Sequence, residues 1–256
     1  MKVVHSAQEL PSGCAFVPTM GALHAGHGSL FTLAKSYCTD VVASIFINPL
    51  QFENPEDLLK YPKTPDADVE LAAKHGVTHL WFPQHNEIYP EGFEILKAGR
   101  IGELFEGASR PGHFDGVVTV VNRLFQLVKP SYAIFGEKDF QQLKLVEEIP
   151  SEVKIVRAPT VRERDGLAMS SRNVRLTAEG RAAATIIYRA LSTAKSEAQL
   201  QQILSAEKLF ELDYATFIDE ETFLPADLGS KNVRAIVAGW INGVRLLDNM
   251  QMEISA

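Results

Sequence analysis

Short apolar runs alternate with amphipathic stretches between Cys14 and Ala158. The runs predict buried strands, and the amphipathic stretches, whose apolar residues recur every three or four positions, predict helices. We expect strands at residues 14–18, 41–47, 77–82, 132–135 and 153–156, and helices at residues 30–38, 67–75, 115–128 and 140–147. Because strands alternate with helices, the pattern predicts a mostly parallel sheet that is covered on both faces.

Residues 115–128 fit two assignments. The run Val-Val-Thr-Val-Val within them favours a strand by its residue types. Val117, Val121 and Val128 nevertheless recur at helical spacing together with other apolar residues, so we predict a helix. Gly76 follows another predicted helix, and we expect it to end that helix in a left-handed conformation.

The pattern changes after Val161. Residues 162–173 are polar and contain glycine, and Thr177 is expected to cap an alanine-rich helix that reaches about Lys195. Beyond this helix we predict a short helix at residues 206–210, strands at residues 214–218, 233–240 and 244–247, and a tight turn at residues 242–243. The chain is therefore predicted to be an α/β protein with a Rossmann-like parallel-sheet domain at residues 1–173 and a smaller α+β domain at residues 174–256.

Composition and charge narrow the classes of function. The 256 residues are 46% hydrophobic, as in ordinary globular proteins, and the net charge is −7. This negative charge argues against nucleic acids and membranes as partners. Cys14 and Cys38 form no C-x-x-C pair, and we expect buried thiols. The N-terminus lacks a signal-like apolar core and no apolar run is long enough to span a bilayer, so the cytoplasm is the expected compartment.

The segment Val-Pro-Thr-Met-Gly-Ala-Leu-His-Ala-Gly-His-Gly-Ser-Leu, residues 17–30, joins the first predicted strand to the first predicted helix. Open α/β sheets bind their ligands at such turns. Its glycines allow backbone N–H groups to approach a phosphate, and the following helix N-terminus adds partial positive charge. His24 and His27 are three residues apart, so their imidazoles lie on one face where a helix begins.

Other interpretations of this segment fit less well, or fit only if the segment is considered without the rest of the sequence. A P-loop requires a lysine where His27 stands, and a zinc pair requires a third ligand that the sequence does not offer. A tight turn with two solvated histidines is an alternative for the isolated segment. A Rossmann dehydrogenase is disfavoured because no G-x-G-x-x-G motif follows the first strand.

A second polar segment, Leu-Ala-Met-Ser-Ser-Arg-Asn at residues 167–173, follows the last predicted strand of the sheet. Ser170 and Ser171 offer hydroxyls, and Arg172 offers a planar cation for phosphate oxygens. Such a cluster is an exposed turn when it stands alone. Together with H-x-G-H in the first strand-to-helix turn, it resembles the paired signatures of the HIGH-type nucleotidyltransferases, whose second signature is a late loop similar to K-M-S-K-S.

Five sequence blocks, in order, narrow this resemblance to one family. They are residues 18–27, 44–52, 56–62, 135–143 and 165–173. With them the chain closely resembles the pantothenate synthetases, which are ATP-dependent pantoate–β-alanine ligases. The resemblance implies that pantoate and β-alanine are joined through a pantoyl adenylate, with ATP as co-substrate and Mg²⁺ as cofactor. It also implies a homodimer and a lid-like C-terminal domain. We assign no protein ligand to the metal.

The resemblance implies an ATP site built from three segments. Its residues are Met20, Gly21, Ala22, Leu23, His24, Ala25, Gly26, His27, Gly136, Glu137, Lys138, Asp139, Val161, Met169, Ser170, Ser171 and Arg172. Among them the implied catalytic residues are His24, His27, Lys138 and Arg172. His27 matches the family's proton donor, and an ordinary imidazole pKa of about 6.5 lets the ring carry a proton near neutral pH. The role of Glu137 is left open.

Two glutamines are implied to bind the organic substrates. Gln51 would bind pantoate and β-alanine, and Gln142 would bind pantoate, with Asn48 as a weaker expectation. A glutamine offers both a donor and an acceptor, so it can recognise hydroxyls without burying a charge. Asp66, Asp68 and Glu70, in contrast, are expected on a solvated helix face.

Two alternative functions fit the same motifs. One is a related cytidylyl- or adenylyltransferase that keeps the nucleotide on its product. The other is a nucleotide-binding module without turnover, against which the retained histidines, Lys138 and Arg172 argue.

Overall fold

A parallel sheet forms the centre of the first of two compact units, which are Met1–Pro159 and the chain from Thr160 onward. The computed structural model describes residues 1–52, 55–227 and 229–252. In these ranges the sheet has six strands in the order β1-β4-β3-β2-β5-β6. The strands are β1 (Lys2–Val4), β2 (Ala15–Thr19), β3 (Val41–Ile45), β4 (His79–Trp81), β5 (Tyr132–Gly136) and β6 (Lys154–Ala158).

Helices follow the strands along the chain in the first unit. They are α1 (Ala25–Ala34), α2 (Pro55–Leu59), α3 (Pro65–Lys74), α4 (His85–Ile88), α5 (Glu106–Ser109), α6 (His113–Val128) and α7 (Phe140–Glu147). The predicted alternation of strands and helices is therefore confirmed, as is the parallel sheet. The strand β1, which the sequence pattern did not predict, pairs with β4.

The helix α6 confirms the helical assignment of residues 115–128. Its valines at 117, 118, 120 and 121 are buried, and burying such a side chain stabilises the fold by about 1.5–3 kcal/mol. The β-branched shape of these valines favours strands. The apolar residues of the whole segment, however, form one continuous face only when they are spaced as in a helix. Tertiary packing therefore outweighs local propensity here.

The order of the strands reverses beside β2, which is where open α/β sheets have a crevice. From β2 the chain moves to β3 and then β4 on one side, and it later returns to β5 on the other side. The loops that leave the carboxyl ends of β2 and β5 consequently turn in opposite directions, and open α/β sheets bind ligands at such a point. The segment 17–30 follows β2, so the fold places it at this crevice.

The second unit is an antiparallel sheet with two helices among its described residues. Its elements are α8 (Ala178–Thr193), α9 (Glu197–Ser205), β7 (Glu211–Asp219), β8 (Val233–Ile241) and β9 (Val244–Met252). Thr177 caps α8 as predicted, because its Oγ1 accepts a hydrogen bond of 3.0 Å from Gly180 N. The turn between β8 and β9 is confirmed too, since Asn242 and Gly243 have φ angles of 51° and 71°.

Some predicted boundaries were wrong. Residues 206–210 form turns, and the helix is α9, which Ser196 caps by accepting a hydrogen bond of 3.3 Å from Gln199 N. Leu200 and Leu204 are the buried residues of this mostly polar helix, and Ile203 packs against the same core. This apolar stripe is too narrow to stand out in the sequence. The compact units of the structure divide after Pro159. The boundary between a catalytic and a lid domain after residue 173 stays a prediction. Across the ranges that the structure describes, no helix is both long and apolar enough to cross a membrane.

The apolar stripe of α9 yields a test of the second unit. Leu204→Ala should lower the free energy of unfolding by about 2–5 kcal/mol, because Leu204 is fully buried and its truncation leaves a cavity. Urea denaturation measures the loss, with Leu224→Ala as a control because Leu224 is exposed. Equal losses in the two variants would contradict the packing of α9.

Candidate active site

The turn between β2 and α1 begins with glycine in a left-handed conformation. Gly21 has a φ angle of 84°, and Ala22 after it has a φ angle of 50°. A Cβ on Gly21 would lie 3.1 Å from Ile45 Cγ2 and 3.1 Å from Asp68 Oδ2. A glycine therefore fits both the backbone conformation and the close approach of its neighbours.

Asp68 holds this turn in place. Its carboxylate accepts hydrogen bonds from Ala22 N at 3.1 Å, from Leu23 N at 2.7 Å and from Thr64 Oγ1 at 2.9 Å. The residue is only 2% exposed, so the expectation that Asp68 lies on a solvated helix face is wrong. Its neighbours Asp66 and Glu70 are exposed as expected. An acidic residue in the first turn of a helix often accepts hydrogen bonds from backbone amides, so the position of Asp68 in α3 hinted at such a role. The amides that it binds are far away in sequence, however, and could not be identified from it.

The backbone fixes which ring nitrogens of His24 and His27 carry protons. Gly26 N donates to His24 Nδ1 at 3.1 Å, and His24 N donates to His27 Nδ1 at 3.2 Å. An imidazole nitrogen that accepts a hydrogen bond is unprotonated, so the neutral form of each ring has its proton on Nε2. The ring centroids are 4.1 Å apart. The start of α1 thus holds two neighbouring Nε2–H donors.

His27 is neutral near pH 7. Burial, together with the nearby His24 and Lys138, lowers the pKa of His27 to about 3, while Asp139 opposes this shift. The residue type alone predicted a ring that takes up a proton near neutral pH. The difference arises because desolvation penalises the charged imidazolium, and burial is not visible in the sequence.

Lys138 and Asp139 lie near these histidines. They follow β5 in a single 3₁₀ turn, Glu137–Asp139, and β5 is the direct neighbour of β2 in the sheet. Lys138 Nζ contacts Asp139 Oδ1 at 3.1 Å. Their electrostatic effect on His27 agrees with this placement. The structure therefore brings together two of the three segments that were predicted to bind ATP.

The third segment lies in the second unit and forms a hairpin. Met169 N donates to Val161 O at 3.0 Å, and Arg162 pairs with Ala168. Gly166 turns the hairpin with a φ angle of 91°. Ser170, Ser171 and Arg172 follow at the start of a 3₁₀ turn, which the Ser170 hydroxyl caps by accepting a hydrogen bond of 3.3 Å from Arg172 N. Val161 and residues 169–172 are thus neighbours in space.

Gln51 lies in a 3₁₀ turn, Pro49–Gln51, after β3. It is 8% exposed, and its Oε1 accepts a hydrogen bond of 3.0 Å from Asn48 Nδ2. Its main-chain oxygen accepts hydrogen bonds from Arg110 Nη2 at 3.1 Å and from His113 Nδ1 at 2.9 Å. Arg110 and His113 therefore hold the main chain of Gln51 in place. No sequence motif had indicated this role for Arg110 and His113.

Gln142 and its neighbour Gln141 differ in their surroundings. Gln141 is buried, and its side chain bonds to the backbone of Ile101, Leu104 and Glu106. The Gln142 side chain is partly exposed on α7 and makes no hydrogen bond to the described part of the chain. An amide in this state is available to a ligand, and the role predicted for Gln142 stays a prediction.

No group of three or more His, Cys, Asp or Glu side chains that could hold a metal ion is present within residues 1–52, 55–227 and 229–252. The two cysteines differ in exposure, since Cys14 is buried and Cys38 is partly exposed. Burial raises the pKa of the Cys14 thiol to about 12, so this thiol is unreactive.

The sequence matches known proteins over nearly its whole length. A family model described as pantoate-beta-alanine ligase matches residues 1–251. A pantothenate synthetase of Acidothermus cellulolyticus is 46% identical over 93% of this chain and 85% of its own length. A pantoate–β-alanine ligase of Schizosaccharomyces pombe is 44% identical over 94% of this chain and 92% of its own length.

Solved structures agree with the sequence matches. A pantothenate synthetase from Thermus thermophilus superposes with a TM-score of 0.92 at 43% identity, covering 98% of this chain and 99% of that one. A pantoate–β-alanine ligase from Francisella tularensis, solved in complex with beta-gamma ATP and β-alanine, superposes with a TM-score of 0.83 at 35% identity, covering 98% and 97%. The chain is therefore an enzyme of the pantoate–β-alanine ligase family.

Proposed function

We propose that this chain makes pantothenate in two steps. In the first step the pantoate carboxylate attacks the α-phosphate of ATP, which gives pantoyl adenylate and pyrophosphate. In the second step the free amine of β-alanine attacks the activated carbonyl, loses a proton and expels AMP. Ligation of pantoate to β-alanine is the activity of the family, and the adenylate route is the finer part of the proposal.

One observation carries the proposal: the turn after β2 holds hydrogen-bond donors in place, from which a phosphate could accept. The Nε2–H groups of His24 and His27 lie side by side where α1 begins, and Lys138 lies near them. Negative charge grows on the α-phosphate oxygens during the attack, and donors held in place beforehand stabilise that charge. We propose that residues 20–27 and 136–139 of the first unit bind ATP. The same role for Val161 and residues 169–172 is proposed from the family resemblance alone.

The first step needs no general base, because the pantoate carboxylate is already ionised at neutral pH. It needs positioning and compensation of charge. We assign this work to His24, His27, Lys138 and Arg172. Since the pKa of His27 is lowered to about 3, we assign His27 as a neutral hydrogen-bond donor rather than as a source of an additional proton.

Mg²⁺ is proposed to arrive with the triphosphate. A magnesium ion prefers oxygen ligands and keeps several waters when it binds nucleotides, so it needs few protein ligands. The ion supplies positive charge to the phosphate oxygens when bound.

Gln51 and Gln142 are proposed to bind pantoate, and Gln51 also β-alanine. The Nε2 group of Gln51 has no partner among the residues that the structure describes, which leaves it available to a substrate oxygen. A homodimer is proposed from the family resemblance alone, and the cytoplasmic location stays the prediction made from the sequence.

The test of this function is AMP release from ATP and pantoate, measured with and without β-alanine. We expect pantothenate and AMP in equal amounts when all three substrates are present, and pyrophosphate exchange when β-alanine is left out. Adenylate formation without an amide product would instead indicate a nucleotidyltransferase, and no exchange at all would indicate a binding module.

His27→Ala and Lys138→Ala should each slow adenylate formation by about two orders of magnitude or more, because each removes a preorganised group that stabilises charge. Pyrophosphate exchange measures the rate. His5→Ala is the control, since His5 is exposed and has no assigned part in the site. Adenylation by His27→Ala at the wild-type rate would refute the proposed site.

The lowered pKa of His27 predicts how stability depends on pH. Below about pH 6.5 the unfolded chain takes up a proton on this ring that the folded chain takes up only near pH 3. Stability should therefore fall as the pH drops below about 6.5, by at most about 1.4 kcal/mol per pH unit for this group. Urea denaturation of His27→Asn should show a smaller loss, whereas the exposed control His5→Asn should behave like the wild type.

Asp68→Asn should lower kcat/KM for ATP by about tenfold or more, because Ala22 N and Leu23 N donate to different carboxylate oxygens and the amide keeps only one of them. KM for pantoate should stay close to its wild-type value. Asp66→Asn on the exposed side of α3 is the matched control. Equal kinetics in the two variants would show that Asp68 does not shape the ATP site.

A further inference from the structure

Tyr89 is a buried tyrosine whose hydroxyl points to the substrate-binding turn after β3. Its residue is 5% exposed, and its Oη donates a hydrogen bond of 2.6 Å to Asn48 Oδ1. Its ring lies in an aromatic cluster, with centroids 4.6 Å from Phe93, 5.4 Å from His85 and 6.1 Å from Phe46. Burial raises the pKa of this phenol, so the hydroxyl keeps its proton and stays a donor at ordinary pH.

The Asn48 side-chain amide can adopt only one orientation. Its Oδ1 accepts a hydrogen bond of 3.3 Å from Leu50 N, and its Nδ2 donates one of 3.0 Å to Gly116 O. Both partners are main-chain groups with a fixed polarity. If the amide were reversed, its oxygen would face the Gly116 carbonyl and its nitrogen would face the Leu50 N–H. The backbone therefore decides which end of Asn48 donates.

The orientation of the Asn48 amide determines the orientation of the Gln51 amide. Its Nδ2 also donates 3.0 Å to Gln51 Oε1 in a buried contact, which makes this oxygen the end of Gln51 that faces Asn48. The other end, Nε2, is then a pure donor of hydrogen bonds. Its two N–H groups find no acceptor among the described residues, and Nε2 is not one of the fully buried polar atoms that lack a partner. A ligand oxygen can therefore accept hydrogen bonds from it.

We propose that Tyr89 is a positioning residue for pantoate. Its hydroxyl holds Asn48, and Asn48 holds Gln51 so that Gln51 presents N–H donors to a carboxylate or hydroxyl oxygen of pantoate. This inference rests on the proposed function, because it deepens the role of Gln51 in the same site. It assigns Gln51 a donor role, where the residue type allows either donor or acceptor.

Tyr89→Phe removes the hydroxyl and keeps the ring in its aromatic cluster. With it Asn48 Oδ1 loses its shorter hydrogen bond and retains the longer one from Leu50 N. We expect KM for pantoate to rise about five- to tenfold, with KM for ATP and kcat within about twofold of wild type. Tyr132→Phe is the matched control, since Tyr132 belongs to the same unit and has no assigned part in the site.

A double-mutant cycle with Gln51→Ala separates positioning from a general loss of structure. If Tyr89 acts through Gln51, Tyr89→Phe should raise KM for pantoate in the wild-type background and have no further effect in the Gln51→Ala background. A purely structural role would give the same rise in both backgrounds and would overturn the inference. Unchanged pantoate kinetics in Tyr89→Phe would overturn it as well.

Gln51→Glu tests the donor role even if Tyr89→Phe does not fold. The carboxylate still offers an oxygen to Asn48 Nδ2, but it replaces the N–H donors by an acceptor that repels pantoate. We expect KM for pantoate to rise by about thirtyfold or more, and a wild-type value would refute the donor role. Wild-type enzyme is assayed first, and failure to make pantothenate would refute the proposed function. Normal wild-type turnover with an unaffected Tyr89→Phe variant would refute this inference alone.

Discussion

The hydrogen bonds from the Ala22 and Leu23 amides to the Asp68 carboxylate determine the shape of the turn after β2. Ala22 has a left-handed backbone that an alanine adopts at an energetic cost. A buried carboxylate that accepts two consecutive amides offsets this cost. Because α1 begins directly after the turn, the position of both histidines depends on this contact. It also ties α3 to the end of β2, so the site depends on the packing of the sheet and not on the local sequence.

The same principle recurs at two turns of the first unit that we propose to bind substrates. Main-chain groups with fixed polarity decide which atom of a side chain donates. The amides of Gly26 and His24 occupy the Nδ1 atoms of the two histidines, and Leu50 and Gly116 orient Asn48. The result in both places is a set of N–H donors at fixed atoms, and those of His27 and Gln51 carry no positive charge near pH 7. Such donors suit a site for phosphate and carboxylate oxygens, because they stabilise negative charge and need no protonation at the operating pH.

Much of the fold could be predicted because it follows from patterns within short segments. The strands, the helix α6 and the cap of α8 each have a local signal of periodicity or capping. The helix α9 was missed because its buried face consists of little more than Leu200 and Leu204. Asp68 was assigned to a solvated face since polar residues surround it, and its actual partners come from a loop that is distant in sequence. Arg110 and His113 were overlooked for the same reason, as they support Gln51 through its main-chain oxygen.

The sequence by itself determined the class of the fold, the family and the residue types that can meet a phosphate or a hydroxyl. It did so because strand and helix periods, glycine positions and ordered motifs are local properties. Only the tertiary structure decided the protonation of His27, the orientation of the Gln51 amide and the partners of Asp68. These depend on desolvation and on hydrogen bonds between groups far apart in the chain, which exist only after the sheet has formed. The sequence of the segment from Pro18 to His27 thus supplies the residue types that can meet a phosphate. The fold decides the protonation state of His27 and the positions of these groups.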